Sequence, residues 1–132
     1  DVIRISVNKD NEIMDYELLY SEDGSGILNR SSSYIPAGEF GFNASFRYVL
    51  GTVDRISGNL MILQPKDSSA GKEVHDISKY SVYVYDKNNT RTDKAYFGNK
   101  GNIFDSENYI QDYDTVIVGT KNSAALEIIV FK

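Results

Sequence analysis

The sequence predicts an all-β protein, and three observations predict it. Apolar and polar residues alternate with period two through most of the chain, clusters of Gly, Asn, Asp and Ser break that alternation at short intervals, and only Asp105–Ile110 has helical character. At the start, Ile3, Ile5 and Val7 share one face while Arg4 and Ser6 point the other way. The polar run Asn8-Lys9-Asp10-Asn11 is turn chemistry, since Asn and Asp tolerate left-handed backbone and bond locally. The returning run puts Met14, Tyr16, Leu18 and Tyr20 on one face, with Asp15 and Glu17 among the residues opposite. Residues 1–20 therefore form a β-hairpin.

Residues 21–45 have little to bury, and Pro36, Gly38 and Gly41 punctuate their second half. A structureless stretch of this length is unusual inside a domain. It is either a connector between modules or a wrapper pegged by Ile27, Leu28, Tyr34, Ile35, Phe40 and Phe42; we read it as a connector. From Phe46 the strand pattern resumes. Phe46, Tyr48 and Leu50 alternate, Gly51 offers a bulge or bend, and Val53 and Ile56 continue with parity shifted. Ser57-Gly58-Asn59 turns into Leu60–Leu63, closed off by Pro65; Lys66 to Lys79 reads as a polar loop. Ser81–Tyr85 is a strand with Val82 and Val84 on one side and Tyr83 and Tyr85 on the other, and Ala95-Tyr96-Phe97 a short extension of the sheet. Asp105 can cap the single helical turn. The last hairpin, Thr115–Val118 and Leu126–Phe131 around Lys121-Asn122-Ser123, is apolar almost throughout and should be central.

Strand, strand, strand, helical turn, strand, strand is the element order of an OB-like five-stranded barrel, here over residues 46–132. The opening hairpin is then surplus. Asp1-Val2-Ile3 with Glu17-Leu18-Leu19 parallels Asp114-Thr115-Val116-Ile117 with Glu127-Ile128-Ile129, so the hairpin reads as the end of a preceding repeat; the alternative is a single seven-stranded barrel or sandwich.

Composition narrows the function classes. The chain has 132 residues, enough for one domain that buries roughly 68–70% of its unfolded surface without a staple. A formal charge of −5 and a pI near 4.8 oppose nucleic-acid binding, which needs clustered Lys and Arg. With no Cys, disulfide frameworks, thiolate metal sites and thiol nucleophiles are excluded. No apolar run approaches the ~18–20 residues of a membrane span, and the first residues lack a signal-peptide pattern.

The phrases Gly51-Thr52-Val53-Asp54-Arg55-Ile56-Ser57-Gly58-Asn59-Leu60, Tyr83-Val84-Tyr85-Asp86 and Asp112-Tyr113-Asp114-Thr115-Val116-Ile117-Val118 resemble the small β-barrel repeats of clostridial-type surface proteins that carry S-layer homology segments. Asp1-Val2-Ile3-Arg4 with Glu12-Ile13 resembles the closing hairpin of such a unit. The resemblance covers roughly two thirds of the chain through short motifs, without an S-layer homology segment. It implies an excised piece of a longer protein of a Gram-positive envelope.

Catalytic constellations are sparse. His75 beside Asp76 is the only imidazole; it reads as an exposed loop residue, since no Gly-x-Ser-x-Gly elbow presents a nucleophile. Gly71-Lys72 lacks the remainder of a phosphate-binding loop. Asp86, Asn88 and Asp93 are weak calcium candidates, as is Asn8–Glu12, without the full loop spacing; both read as solvated hairpin tips. The ten tyrosines stand out, and Tyr80, Tyr83, Tyr85, Tyr96, Tyr109 and Tyr113 are the ligand or interface candidates. Tyrosine offers a broad amphipathic surface at low entropic cost, suited first to intermodule packing or self-association and then to stacking on sugars. The expectation is a non-catalytic structural or adhesive module outside the cell, without cofactor, nucleic acid or membrane insertion. Its partners would be neighbouring modules or identical subunits, with cell-wall glycan as another candidate. A wall-polysaccharide-binding module and a virion or tail structural protein are the alternatives.

Overall fold

The computed structural model describes residues 1–35, 46–85, 96–98 and 110–132, the segment 96–98 by its backbone alone. In chain order these residues form β1 (Val2–Val7), β2 (Ile13–Tyr20), a helical turn α1 (Ile27–Arg30), β3 (Ser33–Tyr34), β4 (Phe46–Ser57), β5 (Leu60–Pro65), β6 (Glu73–Asp76), a 3-10 turn (Ile77–Lys79), β7 (Ser81–Tyr85), β8 (Tyr96–Gly98), β9 (Thr115–Lys121) and β10 (Ala124–Phe131). The protein is predominantly β. β1 and β2 make a separate two-stranded antiparallel sheet. The larger sheet runs β6-β5-β4-β9-β10-β7-β8, with β3 added to β4, and every pairing in it is antiparallel except the parallel one between β7 and β10. Among the described residues its hydrogen-bonded path keeps two ends, at β6 and β8, so its ladders do not close a barrel.

Alternation within the central strands places the core. From β4, β9 and β10, the residues Val49, Val53, Val116, Val118, Ile128 and Val130 face one side. They meet Met61 and Leu63 of β5, Val82 and Val84 of β7, and Ile77, Tyr80 and Ile110. The opposite side carries Tyr48, Leu50 and Ile117, packed with Leu19 of β2 and Leu28 of α1. Strands covered on both faces need apolar residues at both parities, hence the near-continuous apolar wording of β9 and β10. Their two-residue connection is held by Asn122 and Ser123, both left-handed (φ 51° and 65°), the geometry whose twist matches the flanking strands.

Three stretches differ from their sequence reading. Residues 21–35 are packed: Leu28 is fully buried, β3 pairs with β4, and Ser21 is buried, while 36–45 lie outside the described residues. The polar loop expected over 66–79 contains β6 and the 3-10 turn. Its alternation is inverted, with Val74 63% exposed while Glu73 and His75 turn inward, so hydropathy gave no strand signal. The bulge in β4 lies between Val53 and Arg55 rather than at Gly51, which accounts for the parity shift between Val53 and Ile56. The helical turn expected at Asp105–Ile110 lies outside the described residues except for Ile110, which is buried in the main core.

Gly51 has a different task from the one expected. A Cβ there would sit 2.4 Å from the Gln64 carbonyl oxygen and 2.8 Å from Leu63 Cδ1, so the absence of a side chain is what lets β4 and β5 approach. Gly51→Ala should therefore destabilise the fold by about 1–3 kcal/mol, read as a lower urea midpoint at unchanged slope.

Candidate functional site

The hairpin β1–β2 lies over the second apolar face with its polar side turned inward. Arg4 sits 4.6 Å above the Phe46 ring centroid, Glu17 accepts a hydrogen bond from the Tyr34 hydroxyl, and Leu19 is buried. Burial, and then the Glu17 contact, pushes the Tyr34 phenol up to about 12. The register pairs Ile3 with Leu18, Ile5 with Tyr16 and Val7 with Ile13, and Met14 is the extra residue of a bulge beside the last pair. Ile3, Ile5, Val7, Ile13, Met14 and Tyr16 consequently lie in solvent at half to two thirds exposure. They make up six of the ten large apolar side chains exposed among the described residues. A hydrophobic face on an isolated hairpin is the reverse of what burial alone would select. Sequence periodicity finds the face but not the side it takes.

Behind the hairpin, a groove of about 380 Å³ runs along the larger sheet, lined by Arg4, Tyr48, Tyr83, Tyr85, Glu127 and Phe131. β7 alternation puts Tyr83 and Tyr85 here, opposite Val82 and Val84; Tyr85 meets Phe131 edge-on at 6.3 Å, and Tyr20 lies 4.7 Å from the same ring. Burial, followed by the neighbouring Glu127 carboxylate, pushes the Tyr48 phenol up to about 12. Glu127 is itself pushed up by burial, against a smaller opposing effect of its hydrogen bond with Tyr48. It is an acid set in the apolar run Leu126 to Phe131, and that isolation is the sequence signal for it.

Tyr80 belongs to another place. The Arg47 guanidinium grips Glu73 through two bonds of 3.1 and 2.7 Å, Glu73 Oε1 meets His75 Nε2 at 3.0 Å, and His75 Nδ1 meets the Tyr80 hydroxyl at 2.8 Å. His75, expected in an exposed loop, is instead in β6 with its side chain 11% exposed and both ring nitrogens engaged. Hydrogen bonding to Arg47 holds Glu73 below its ordinary range, and burial raises Tyr80. The chain of bonds ends on a phenol in the main core, so it satisfies polar groups on an inward-facing strand; Asp76 is likewise occupied, accepting from Ser78 N and Oγ.

The structure thus divides the tyrosines named from the sequence. Tyr83 and Tyr85 share the groove, Tyr80 is in the core, and Tyr113 stands 80% exposed with left-handed backbone (φ 72°). Tyr96 is placed as backbone of β8 only, and Tyr109 lies outside the described residues, as do the calcium candidates Asp86, Asn88 and Asp93. In the first turn, Asn8 Oδ1 accepts from the amides of Asp10 and Glu12, and no group of three or more acidic or histidine side chains could hold a metal among the described residues. Set against protein-family models, curated proteins and solved structures, the chain matches none of them.

The two half-buried glutamates, Glu73 and Glu127, make opposite pH predictions. Glu127 binds its proton more tightly folded than unfolded, so its contribution to stability is present below its ordinary value near 4.5 and is lost as pH rises through the raised folded value. Glu127→Gln should therefore be more stable than the parent at pH 7 and indistinguishable from it near pH 3.5. Glu73 has the lowered value, so its contribution is present above 4.5 and is lost as pH falls through the folded value. Glu73→Gln should be less stable at pH 7 and converge with the parent in acid. Urea unfolding of the three proteins at several pH values reads both.

Proposed function

We propose that this chain is a non-catalytic structural or adhesive module of an extracytoplasmic surface protein. It presents and spaces surfaces for neighbouring modules or identical subunits, and it needs no cofactor. The observation that carries the reading is the outward apolar face of β1–β2, because contiguous apolar surface held in water is the ordinary signature of a contact surface. The resemblance of Gly51–Leu60 and Asp112–Val118 to repeats of S-layer-type proteins supports the envelope setting.

An OB-like barrel over residues 46–132 is part of the proposal. β6 and β7 are separated by one 3-10 turn, yet β6 pairs with β5 at one side of the sheet and β7 pairs in parallel with β10 at the other. The chain itself thus joins what the ladders leave open, as a broken third strand would. The repeat reading of the first hairpin gains support from a shared irregularity: β2 and β10 each have an added residue near the turn, Met14 and Leu126.

A wall-polysaccharide-binding role is the second reading, favoured by the groove whose rings Tyr83, Tyr85 and Phe131 offer stacking surface beside the Glu127 carboxyl. Titration with cell-wall fragments, followed by tyrosine fluorescence, should then show saturable quenching that Tyr85→Ala removes.

The primary reading is tested on intact producing cells. A membrane-impermeant amine reagent should label Lys72, whose side chain is 55% exposed, without lysis. Labelling that appears only after lysis contradicts the surface assignment.

A further inference from the structure

The exposed face of β1–β2 has no assigned partner, and we infer that a second copy of this chain covers it, the two hairpins packing face to face about a two-fold axis. This rests on the reading of the chain as an assembling module and names the partner of that surface. Six side chains half to two-thirds open leave on the order of 700 Å² uncovered, close to the ~800 Å² that each partner contributes to a standard interface.

The face is self-complementary. Ile3, Ile5, Val7, Ile13, Met14 and Tyr16 bring no charge onto it, whereas the charged residues Arg4, Asp15 and Glu17 occupy alternate positions and the opposite side. An isologous interface sets each patch against itself, and an uncharged apolar patch is what tolerates that without like-charge contacts. A strongly charged partner would find nothing to read there. A two-stranded hairpin is also marginal in water by itself, so covering its second face adds order where the chain has least. Both copies are acidic, with a formal charge of −5, so screening by salt should strengthen the association.

Two methionines make the test direct, since Met14 is 65% exposed on the face and Met61 is fully buried in the core. Sedimentation velocity of the 132-residue chain should show a monomer–dimer equilibrium in the micromolar range, tightened by added salt. Ile5→Arg should raise the dissociation constant by at least ~100-fold, with the far-UV circular dichroism retained and a melting temperature matching that of the dilute, monomeric parent. Peroxide oxidation of Met14 should slow by at least ~5-fold between dilute and concentrated protein, with Met61 as the unreactive internal reference. If Ile5→Arg does not fold, Tyr16→Glu, at a more exposed position, and the Met14 protection decide the matter. A chain that stays monomeric at about 500 μM, a dimer unaffected by both substitutions, or Met14 reactivity independent of concentration overturns the inference. Each of those outcomes leaves the surface-labelling result untouched, so the two readings fail separately.

Discussion

The constraint on which everything else depends is that β4, β9 and β10 are apolar on both sides. A sheet with two such faces cannot stand alone in water; each face requires a cover, and burial at roughly 25 cal/mol per Å² makes the requirement strong. One face is covered by the sheet itself, whose β5 and β7 bring Met61, Leu63, Val82 and Val84 onto Val116, Val118, Ile128 and Val130. The other cannot be reached that way, so it recruits the first thirty-five residues through Leu19, Leu28, Val2, Tyr20 and Tyr34. The hairpin is therefore placed by what the central strands need.

That placement has a consequence for function. A hairpin has two faces, and the one serving as cover is the side that contains Arg4, Glu17 and Leu19, the last being the extra residue of a second bulge, between the pairs Val2–Tyr20 and Ile3–Leu18. Arg4 remains there because its guanidinium lies on the Phe46 ring, which Lys121 approaches from 5.4 Å, so a cation is held against an aromatic face rather than in hydrocarbon. The purely apolar side is left facing out. Polar groups turned inward and apolar groups turned outward recur in β6, where the Arg47–Glu73–His75–Tyr80 chain keeps the inward residues bonded. Both inversions set polar contacts between layers and keep apolar surface for the outside.

Much of the architecture was legible in the sequence because period-two patterning fixes strands wherever one side is consistently apolar. The hairpin over β1 and β2, the split of β7 into Val82/Val84 and Tyr83/Tyr85, and the turn at Asn122-Ser123 follow from residue order alone. β6 did not, because its inward residues are Glu73 and His75 and its outward one is Val74, and polarity can be read as burial only when tertiary partners are known. The same gap hid the site. Alternation identified the Ile3/Ile5/Val7 face without saying which side packs; that the opposite side does so depends on bulges at Met14 and Leu19 and on the ring of Phe46, none of which has a local signature. The groove was half visible: Tyr83 and Tyr85 were named, while Tyr48 and Glu127 come from strands far away in sequence.

Both faces of the larger sheet are covered within the chain, whereas the first hairpin keeps one apolar face in water, the face assigned above to a second copy. Amide hydrogen exchange, followed residue by residue at several protein concentrations, tests this most directly. This arrangement predicts that amides of β4, β9 and β10 exchange only through global unfolding, equally at every concentration. Those of β1 and β2 should exchange by easier local opening in dilute solution and slow as the protein is concentrated. A hairpin as protected as β9 in dilute solution, with no dependence on concentration, would contradict it.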